Sequence, residues 1–227
     1  RYLVDREGVD GARIAIIANG VDAERFRPAP SAEARSLVRG ALNLRERDFV
    51  VAMVAALRPE KNHALFIRAA ERVRSEIGGC AFLVVGEGTE EHNLRALAAD
   101  MRLESVVRFL GRRDDVPDVL AACDALVLAS HPVVETFPLV VLEGMSAGLP
   151  VVASDVGSVR EMMVDGEEGF IIPSGDEDAL VERLLLVARR PEERMRIGAR
   201  ARSRVKMEFT IDKMLGGYAD MLKSLVA

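Results

Sequence analysis

Short hydrophobic runs recur along this chain, and the segments between them show helical spacing. The runs are rich in Val, Leu and Phe and lie at residues 49–55, 81–85, 106–110, 125–128, 151–153 and 170–172. Helical spacing is found at residues 62–76, 90–101, 116–122 and 138–147. Uninterrupted hydrophobic strands that alternate with helices are typical of a parallel sheet covered by helices on both faces. The pattern therefore predicts an α/β fold built on a doubly wound parallel sheet.

After Gly175 the pattern is helical to the end of the chain, with breaks near Pro191 and Thr210. Such a stretch contains no further strand candidate, so it predicts helices that follow the sheet. A run at residues 189–206 carries eight Lys and Arg against two Glu. Runs of this kind are usually solvated helix faces, and peripheral membrane docking is the alternative.

Composition narrows the classes of function. The 227 residues suffice for one large α/β domain with a sizeable core. Lys and Arg number 31 and Asp and Glu 36, and the net charge of −5 argues against nucleic acid as the main partner. Cys80 and Cys123 lie in hydrophobic runs, which fits free thiols in a reduced, cytoplasmic setting. No hydrophobic run has the length of a membrane-spanning helix. The chain begins at Arg1 rather than at a methionine, and we expect it to be a fragment.

Two glutamates eight residues apart, Glu135 and Glu143, carry the strongest functional signal. Proline is favoured in the first helical turn, so we expect a helix to begin at Pro138 and to stop at Gly148. Glu143 is then a single carboxylate in an otherwise hydrophobic, buried helix, where it needs hydrogen-bond donors. The donors come either from an arginine or backbone amide of the fold or from the hydroxyls of a ligand.

Charged and glycine residues follow the first two predicted strands. Ligands of open α/β sheets bind at the carboxyl ends of the strands. Arg58 and Lys61 lie there, beside a helix that Asn62 is placed to cap, and this setting suits a phosphate or diphosphate. The alternative is a solvated charged turn. Gly86 follows the second strand, where it allows either a plain turn or the close approach of a ligand.

Other chemistries find little support in the sequence. The three histidines do not have metal-ligand spacing with the cysteines; they are His63, His92 and His131. No Ser, Cys or Lys lies in a recognisable nucleophile motif. The first strand is not followed by a glycine run, which argues against a dinucleotide-binding fingerprint. We therefore expect neither a bound metal nor covalent catalysis by this chain.

Several motifs, in this order and spacing, resemble a known family. They are 17–22 with Phe26 and Pro28, 57–61, 85–88, 109–111, 130–143 and 148–154. Together they resemble the nucleotide-sugar half of the retaining GT-B glycosyltransferases of family 4, also called group 1. The resemblance covers almost the whole chain. It implies one Rossmann-like domain of a two-domain GT-B fold, with C-terminal helices.

The resemblance also implies a division of the chain. Residues 1–28 would be a hinge segment from an N-terminal acceptor domain that this chain lacks. Residues 29–207 would form the Rossmann-like donor-binding domain. Residues 208–227 would form the helix that crosses back to the N-terminal domain.

Site roles follow from the same resemblance. Glu143 would hold the ribose hydroxyls, and Glu135 would contact the donor sugar. Lys61 would bind the diphosphate. Further donor-binding positions are the backbone around Phe137, Pro138 and Leu139, together with Gly86, Gly111 and Arg112, the last two near the base. Cations and a helix end can neutralise a leaving diphosphate, so the resemblance implies metal-independent transfer without a cofactor.

Two positions depart from the family pattern. An arginine usually lies five residues before the lysine, and here Ala56 occupies that position. Arg58 is the substitute that we name as a third catalytic candidate. A glycine often follows the first glutamate, whereas this chain has Thr136.

The sequence thus predicts the donor-binding half of a glycosyltransferase that moves a sugar from a nucleoside diphosphate to an acceptor hydroxyl with retention of configuration. The full protein would be cytoplasmic, with peripheral association at the inner face of the membrane as an option. The fragment alone would be inactive. A nucleotide-sugar epimerase is one alternative, and a non-catalytic nucleotide-sugar-binding module, which Ala56 favours, is the other.

Overall fold

The computed structural model describes residues 2–132 and 135–225 of the chain. Within them a parallel sheet of six strands has the order β3-β2-β1-β4-β5-β6. The strands are β1 (Phe49–Val54), β2 (Cys80–Val85), β3 (Val107–Gly111), β4 (Ala125–Leu128), β5 (Val151–Ser154) and β6 (Gly169–Ile172). β1 pairs with β2 over its whole length, from Phe49 opposite Cys80 to Val54 opposite Val85. The sheet confirms the predicted doubly wound α/β fold.

Helices connect the strands and follow the sheet. They are α1 (Tyr2–Asp5), α2 (Ala32–Ala41), α3 (His63–Ile77), α4 (Glu91–Asp100), α5 (Val116–Ala121), α6 (Leu139–Ser146), α7 (Val159–Met162), α8 (Glu177–Arg189), α9 (Pro191–Glu208) and α10 (Ile211–Ser224). Two short 3-10 helices, Gly11–Arg13 and Pro59–Lys61, complete the set in the described ranges. The breaks near Pro191 and Thr210 lie where the sequence predicts them, whereas the sequence pattern does not predict α1, α2 or α7.

The sheet separates two hydrophobic layers. Alternate residues of a strand point to opposite faces, so Val50 and Ala52 pack with α5, α6 and part of α9. Val51 and Met53 pack with α3, α4 and α8 on the other face. These strand side chains are at most 1% exposed. Burial of Val50, Val51 and Met53 contributes about 1.5–3 kcal/mol for each side chain.

A buried ion pair ties α2 to the amino ends of β1 and β4. Arg39 and Asp124 are 1% and 7% exposed, and Arg39 Nη2 lies 2.7 Å from Asp124 Oδ2. Arg39 also donates to backbone carbonyls, and Asp124 accepts from the backbone N–H of Val50 at 2.8 Å. Arg35 Nη2 lies 2.8 Å from the other Asp124 oxygen. The cluster lies at the edge of the sheet opposite the carboxyl ends of the strands. Because every partner is supplied by the fold, its role is structural.

Two sequence predictions about helix starts need correction. α6 begins at Leu139, and Pro138 lies outside it as the N-cap with φ −70° and ψ 101°. Proline fixes only φ, so its ψ can stay extended and delay the helix by one residue. Asn62 does not cap α3 with its side chain; it adopts φ 57° and ψ 45°. The 3-10 helix before it ends there, and Asn62 takes the left-handed conformation that joins the two helices.

The basic run at residues 189–206, most of which lies on α9, is largely paired with other described residues. The carboxylate partners include Glu76 for Arg189, Glu193 for Arg196, Glu167 for Arg200 and Glu168 for Arg204. Arg202 instead donates to the backbone carbonyls of Ala23, Phe26 and Ser146. This pairing favours the solvated helix face over the membrane alternative. In the described ranges, helices that combine the length and the apolar character of a membrane span are absent.

α10 keeps a hydrophobic stripe exposed. Thr210 caps it by accepting a hydrogen bond from the Lys213 N–H, and Thr210 also forms a parallel bridge with Val21. The exposed side chains are Ile211, Leu215, Tyr218 and Leu222, with exposed fractions of 38–57%. The described residues thus leave one face of the terminal helix without a covering surface.

Candidate functional site

The strand order places a crevice between the ends of β1 and β4. From β1 the chain passes outward to β2 and β3, and it then returns to β4 on the other side of β1. At such a reversal the loops diverge and leave a crevice at the carboxyl edge of the sheet. The backbone N–H of His131 donates to the Glu60 carbonyl at 2.9 Å, so the loops after β1 and β4 are joined. These two loops contain five of the ten predicted site residues, namely Arg58, Lys61, Glu135, Phe137 and Pro138.

Lys61 and Glu135 meet in this crevice. Lys61 Nζ lies 2.5 Å from Glu135 Oε1, with exposed fractions of 22% and 10% for the two side chains. Ser130 Oγ donates to the same carboxylate oxygen at 2.8 Å. A cation and a carboxylate at the mouth of a site provide charges of both signs to a polar ligand. The structure thus brings together two of the three predicted catalytic residues.

Glu143 lies half-buried in α6 without a partner among the described residues. No described residue donates a hydrogen bond to its carboxylate, and no described cation lies within ion-pair distance. Burial raises the pKa of Glu143 above its ordinary value, and the positive charge of Arg25 partly opposes this effect. Most of its helix is buried, including Val141, Leu142 and Met145. An arginine or amide partner from the fold, the first alternative from the sequence, is therefore not found in the described residues.

The start of α6 points its free backbone donors toward the same edge. The first N–H groups of any helix lack carbonyl partners within it. Phe137 is fixed beside this turn by packing on Phe209, with ring centroids 6.2 Å apart. Pro138 is buried, whereas Leu139 is 45% exposed. The start of α6 thus lies at the carboxyl edge of the sheet, where Lys61 also lies.

The remaining predicted positions lie on an open part of the same edge. Arg58 is 65% exposed, and its nearest carboxylate is Glu60 at 4.0 Å. Arg112 is 74% exposed and lies 4.0 Å from Glu87. Gly111 ends β3 with φ +66°, and a side chain there would meet open space. The structure therefore leaves Arg58 and Arg112 exposed to solvent, and it does not join them to the Lys61–Glu135 pair.

Two glycines hold the loops of the site together. Gly86 has φ +138°, and a Cβ there would clash with the Ala55 carbonyl, so the loops after β1 and β2 can touch. This contact gives Gly86 a packing role, and its contact with a ligand stays a prediction. Gly157 has φ +53°, and a Cβ there would lie 2.6 Å from the carbonyls of Glu135 and Thr136. Sequence reasoning missed Gly157, although a glycine just after β5 is the signal that could have found it.

The histidine next to Lys61 belongs to the core. His63 is 1% exposed, and neither ring nitrogen has a hydrogen-bond partner in the described residues. Burial, aided by the charge of Lys61, lowers the pKa of His63 to about 4. The ring is therefore neutral at neutral pH. No group of three His, Cys, Asp or Glu side chains in residues 2–132 and 135–225 could hold a metal ion.

Comparison with known proteins identifies the family. Residues 35–204 match the family model for glycosyl transferases group 1. The chain belongs to this family. A galactosyltransferase of Escherichia coli, UDP-Gal:alpha-D-GlcNAc-diphosphoundecaprenol alpha-1,3-galactosyltransferase, is 35% identical over 182 residues, which are 79% of this chain and 46% of the relative. The D-inositol 3-phosphate glycosyltransferase of Salinispora arenicola is 32% identical over 99% of this chain and 52% of its own length. The chain thus spans about half the length of these relatives.

Solved structures share the fold. The Anabaena protein HepE, determined in complex with UDP, has a TM-score of 0.88 and 26% identity over 96% of this chain and 59% of HepE. The C-terminal domain of LpcC, a glycosyl transferase group 1 family protein from Francisella tularensis, has a TM-score of 0.76 and 24% identity. That match covers 85% of this chain and 100% of the LpcC domain, and it concerns the fold alone. The family assignment and the Rossmann-like fold are thereby confirmed.

Proposed function

We propose that this chain is the donor-binding half of a glycosyltransferase that transfers a sugar from a nucleoside diphosphate sugar to an acceptor hydroxyl with retention of configuration. The missing half is an N-terminal acceptor domain, to which residues 1–28 and 208–227 connect. Support comes from the half-length match to the relatives and from HepE, whose structures contain UDP and UDP-glucose.

The observation that carries the proposal is the carboxylate of Glu143. An ionised group that is half-buried in a hydrophobic helix is unfavourable unless donors are supplied to it. The described residues supply none, so a ligand with two adjacent hydroxyls is the complementary partner. A ribose diol has this chemistry, and we therefore assign the ribose of the donor to Glu143.

Lys61 and the start of α6 are assigned to the diphosphate. An ammonium group and free helix N–H groups both favour a phosphate, and both lie at the same strand edge. As the bond to the sugar breaks, negative charge develops on the leaving diphosphate, and these fixed groups stabilise it. No step in this scheme requires a metal ion. Glu135, which contacts Lys61, is assigned to the sugar.

A non-catalytic nucleotide-sugar-binding module is the second candidate. Ala56 favours it, because the arginine expected at that exposed position would supply a second fixed charge to the diphosphate. Arg58 lies two residues further on, but its only described carboxylate neighbour, Glu60, is 4.0 Å away. If Arg58 cannot reach the phosphate, binding would remain while transfer is lost.

Turnover by the full-length gene product separates the two candidates. The protein is incubated with UDP-, GDP-, ADP- and TDP-sugars and a mixture of hydroxyl acceptors, and release of the nucleoside diphosphate is measured with and without acceptor. We expect acceptor-dependent release with at least one donor, and the product should keep the anomeric configuration of the donor by NMR. Binding of a donor without release would establish the module instead.

A further inference from the structure

One carboxylate oxygen in the site has two donors of different character. Glu135 Oε1 accepts a hydrogen bond from Lys61 Nζ at 2.5 Å and another from Ser130 Oγ at 2.8 Å. The other oxygen, Oε2, accepts none from the described residues. Glu135 is therefore held by one oxygen, and the second remains available.

Ser130 is fixed more firmly than Lys61. Its side chain is fully buried, two residues beyond the end of β4. Its carbonyl accepts a hydrogen bond from Ser174 Oγ at 3.2 Å, which ties it to the loop after β6. Lys61, by contrast, lies on the loop after β1 and is 22% exposed. A buried hydroxyl cannot reach a ligand in the crevice, whereas the lysine ammonium can.

When a nucleotide sugar binds, Lys61 and Ser130 should therefore behave differently toward Glu135. Lys61 has three N–H donors, and a diphosphate competes with Glu135 for them. Ser130 meets no such competition. The Ser130 hydroxyl therefore keeps its hydrogen bond to Glu135 throughout the reaction.

We propose that Ser130 is a positioning residue for Glu135, which fixes Oε1 so that Oε2 faces the sugar of the donor. This inference rests on the proposed function, since it needs Glu135 to contact the sugar. It has a specific consequence. Loss of the Ser130 hydroxyl should weaken recognition of the sugar of the donor and leave binding of the nucleoside diphosphate unchanged.

The test uses Ser130→Ala in the full-length protein. Eight ligands are titrated by calorimetry: UDP, GDP, ADP and TDP, and the hexose conjugate of each. Transfer kinetics are measured for the nucleotide sugar that wild type prefers. We expect kcat/KM for transfer to fall about tenfold to a hundredfold, the effect of losing a hydrogen bond to a charged group. Affinity for the matching nucleoside diphosphate should change less than about twofold.

Ser154→Ala is the matched control. Ser154 is also fully buried at a strand end, and its hydroxyl has no hydrogen-bond partner in the described residues. It should leave both ligands and the kinetics unchanged. Ser130→Cys keeps the shape with a weaker donor and should give an intermediate kcat/KM, which reports on the hydrogen bond even if Ser130→Ala is poorly folded.

Each outcome is decisive. If Ser130→Ala lowers kcat/KM and the affinity for the sugar conjugate but not the affinity for the nucleoside diphosphate, the positioning role is supported. An unchanged kcat/KM, or an equal fall in affinity for the nucleoside diphosphate and its sugar conjugate, overturns it while the proposed function stands. Wild type that binds none of the eight ligands overturns the proposed function, and the inference with it.

Discussion

Glu143, to which we assign the ribose of the donor, is expected to oppose stability. Burial raises its pKa, so the folded protein holds the proton more tightly than the unfolded chain does. Stability from this group therefore falls as the pH rises from the ordinary carboxyl pKa of 4.5 through the raised value. At neutral pH the ionised Glu143 lowers the free energy of unfolding.

Glu143→Gln should therefore stabilise the ligand-free protein at neutral pH, because a neutral amide is buried at less cost than a charge. The advantage should shrink as the pH is lowered and vanish below about 4.5, where Glu143 is protonated in both states. Urea unfolding at several pH values measures it. An advantage that persists undiminished at acidic pH would show that desolvation of the charge is not its cause.

The same residue should be indispensable for binding. Glu143→Ala removes the acceptor for the ribose hydroxyls, and we expect nucleotide affinity to fall by about 1.5–3 kcal/mol, roughly ten- to a hundredfold. Glu143→Gln should weaken binding less, since it retains one acceptor. Calorimetry that finds unchanged affinity in a folded Glu143→Ala protein would remove the residue from the site.

Lys61 should act on phosphate only. Lys61→Ala is expected to weaken binding of nucleoside diphosphates about ten- to a hundredfold while the nucleoside alone binds as before, because only the phosphates meet the cation. Arg58→Ala should behave likewise if Arg58 replaces the arginine absent at Ala56. Lys223→Ala removes the same charge from an exposed lysine on α10 and serves as the control. Equal losses for nucleoside and diphosphate would indicate a general structural role for Lys61.

Individual residues with a local signal were predictable, whereas residues with distant partners were not. Glu143 stands out because its neighbours in the helix are hydrophobic. Ser130 resembles any other loop serine in the sequence. Its hydrogen bond to Glu135 depends on a loop conformation that the sequence pattern does not specify. The Arg39–Asp124 pair joins residues 85 positions apart, and only the folded sheet brings them together.

At the scale of elements, hydrophobic continuity predicted each strand to within a few residues at its ends. A continuous hydrophobic run of this length fits a strand buried on both faces, and its shortness and its Val and Phe content distinguish it from a buried helix. α2 was missed because four of its ten residues are polar or charged, although Ser31 caps it by accepting from the Ala34 N–H. The two errors in helix starts, Pro138 and Asn62, both concern a backbone angle at a junction. Junction angles are set by the preceding loop and by packing, which residue preference alone does not determine.

The loop after β5 should be as important to the site as the loop that carries Glu135. Gly157→Ala would press a methyl group against two carbonyls, 2.6 Å away, and would also strain a residue at φ +53°. We expect a loss of stability of about 2–4 kcal/mol and weaker binding of the nucleotide sugar. Thermal unfolding and calorimetry measure the two effects.

Gly166→Ala is the control for this variant. Gly166 has φ +76°, but a Cβ there would meet no atom within 4 Å. Gly166→Ala should lower the free energy of unfolding by about 1–2 kcal/mol through backbone strain alone, and it should leave binding of the nucleotide sugar unchanged. Equal effects of the two substitutions on binding would show that the contact with the Glu135 loop is not needed.

At the scale of the whole molecule, the sheet and its two layers are complete, whereas the crevice is open. Catalysis of sugar transfer requires that donor and acceptor be held together away from water. Under the proposed function, the strand ends of this chain would provide one wall of such a crevice, along which Arg58, Arg112 and Leu139 are exposed. The relatives are about twice as long, which leaves room for the second wall.

Residues 1–227 alone should therefore bind a nucleoside diphosphate with modest affinity and transfer no sugar, and their least stable helix should be α10. No residue of α10 is buried, and a helix of 14 residues is marginal without packing. α8 is the internal comparison, since Leu180, Leu184 and Val187 anchor it in the core. Hydrogen exchange should be fast in α10, slow in α8 and slowest in β1 and β4. Sugar transfer by this chain together with strong protection of α10 would show that the second domain is not what covers the exposed stripe.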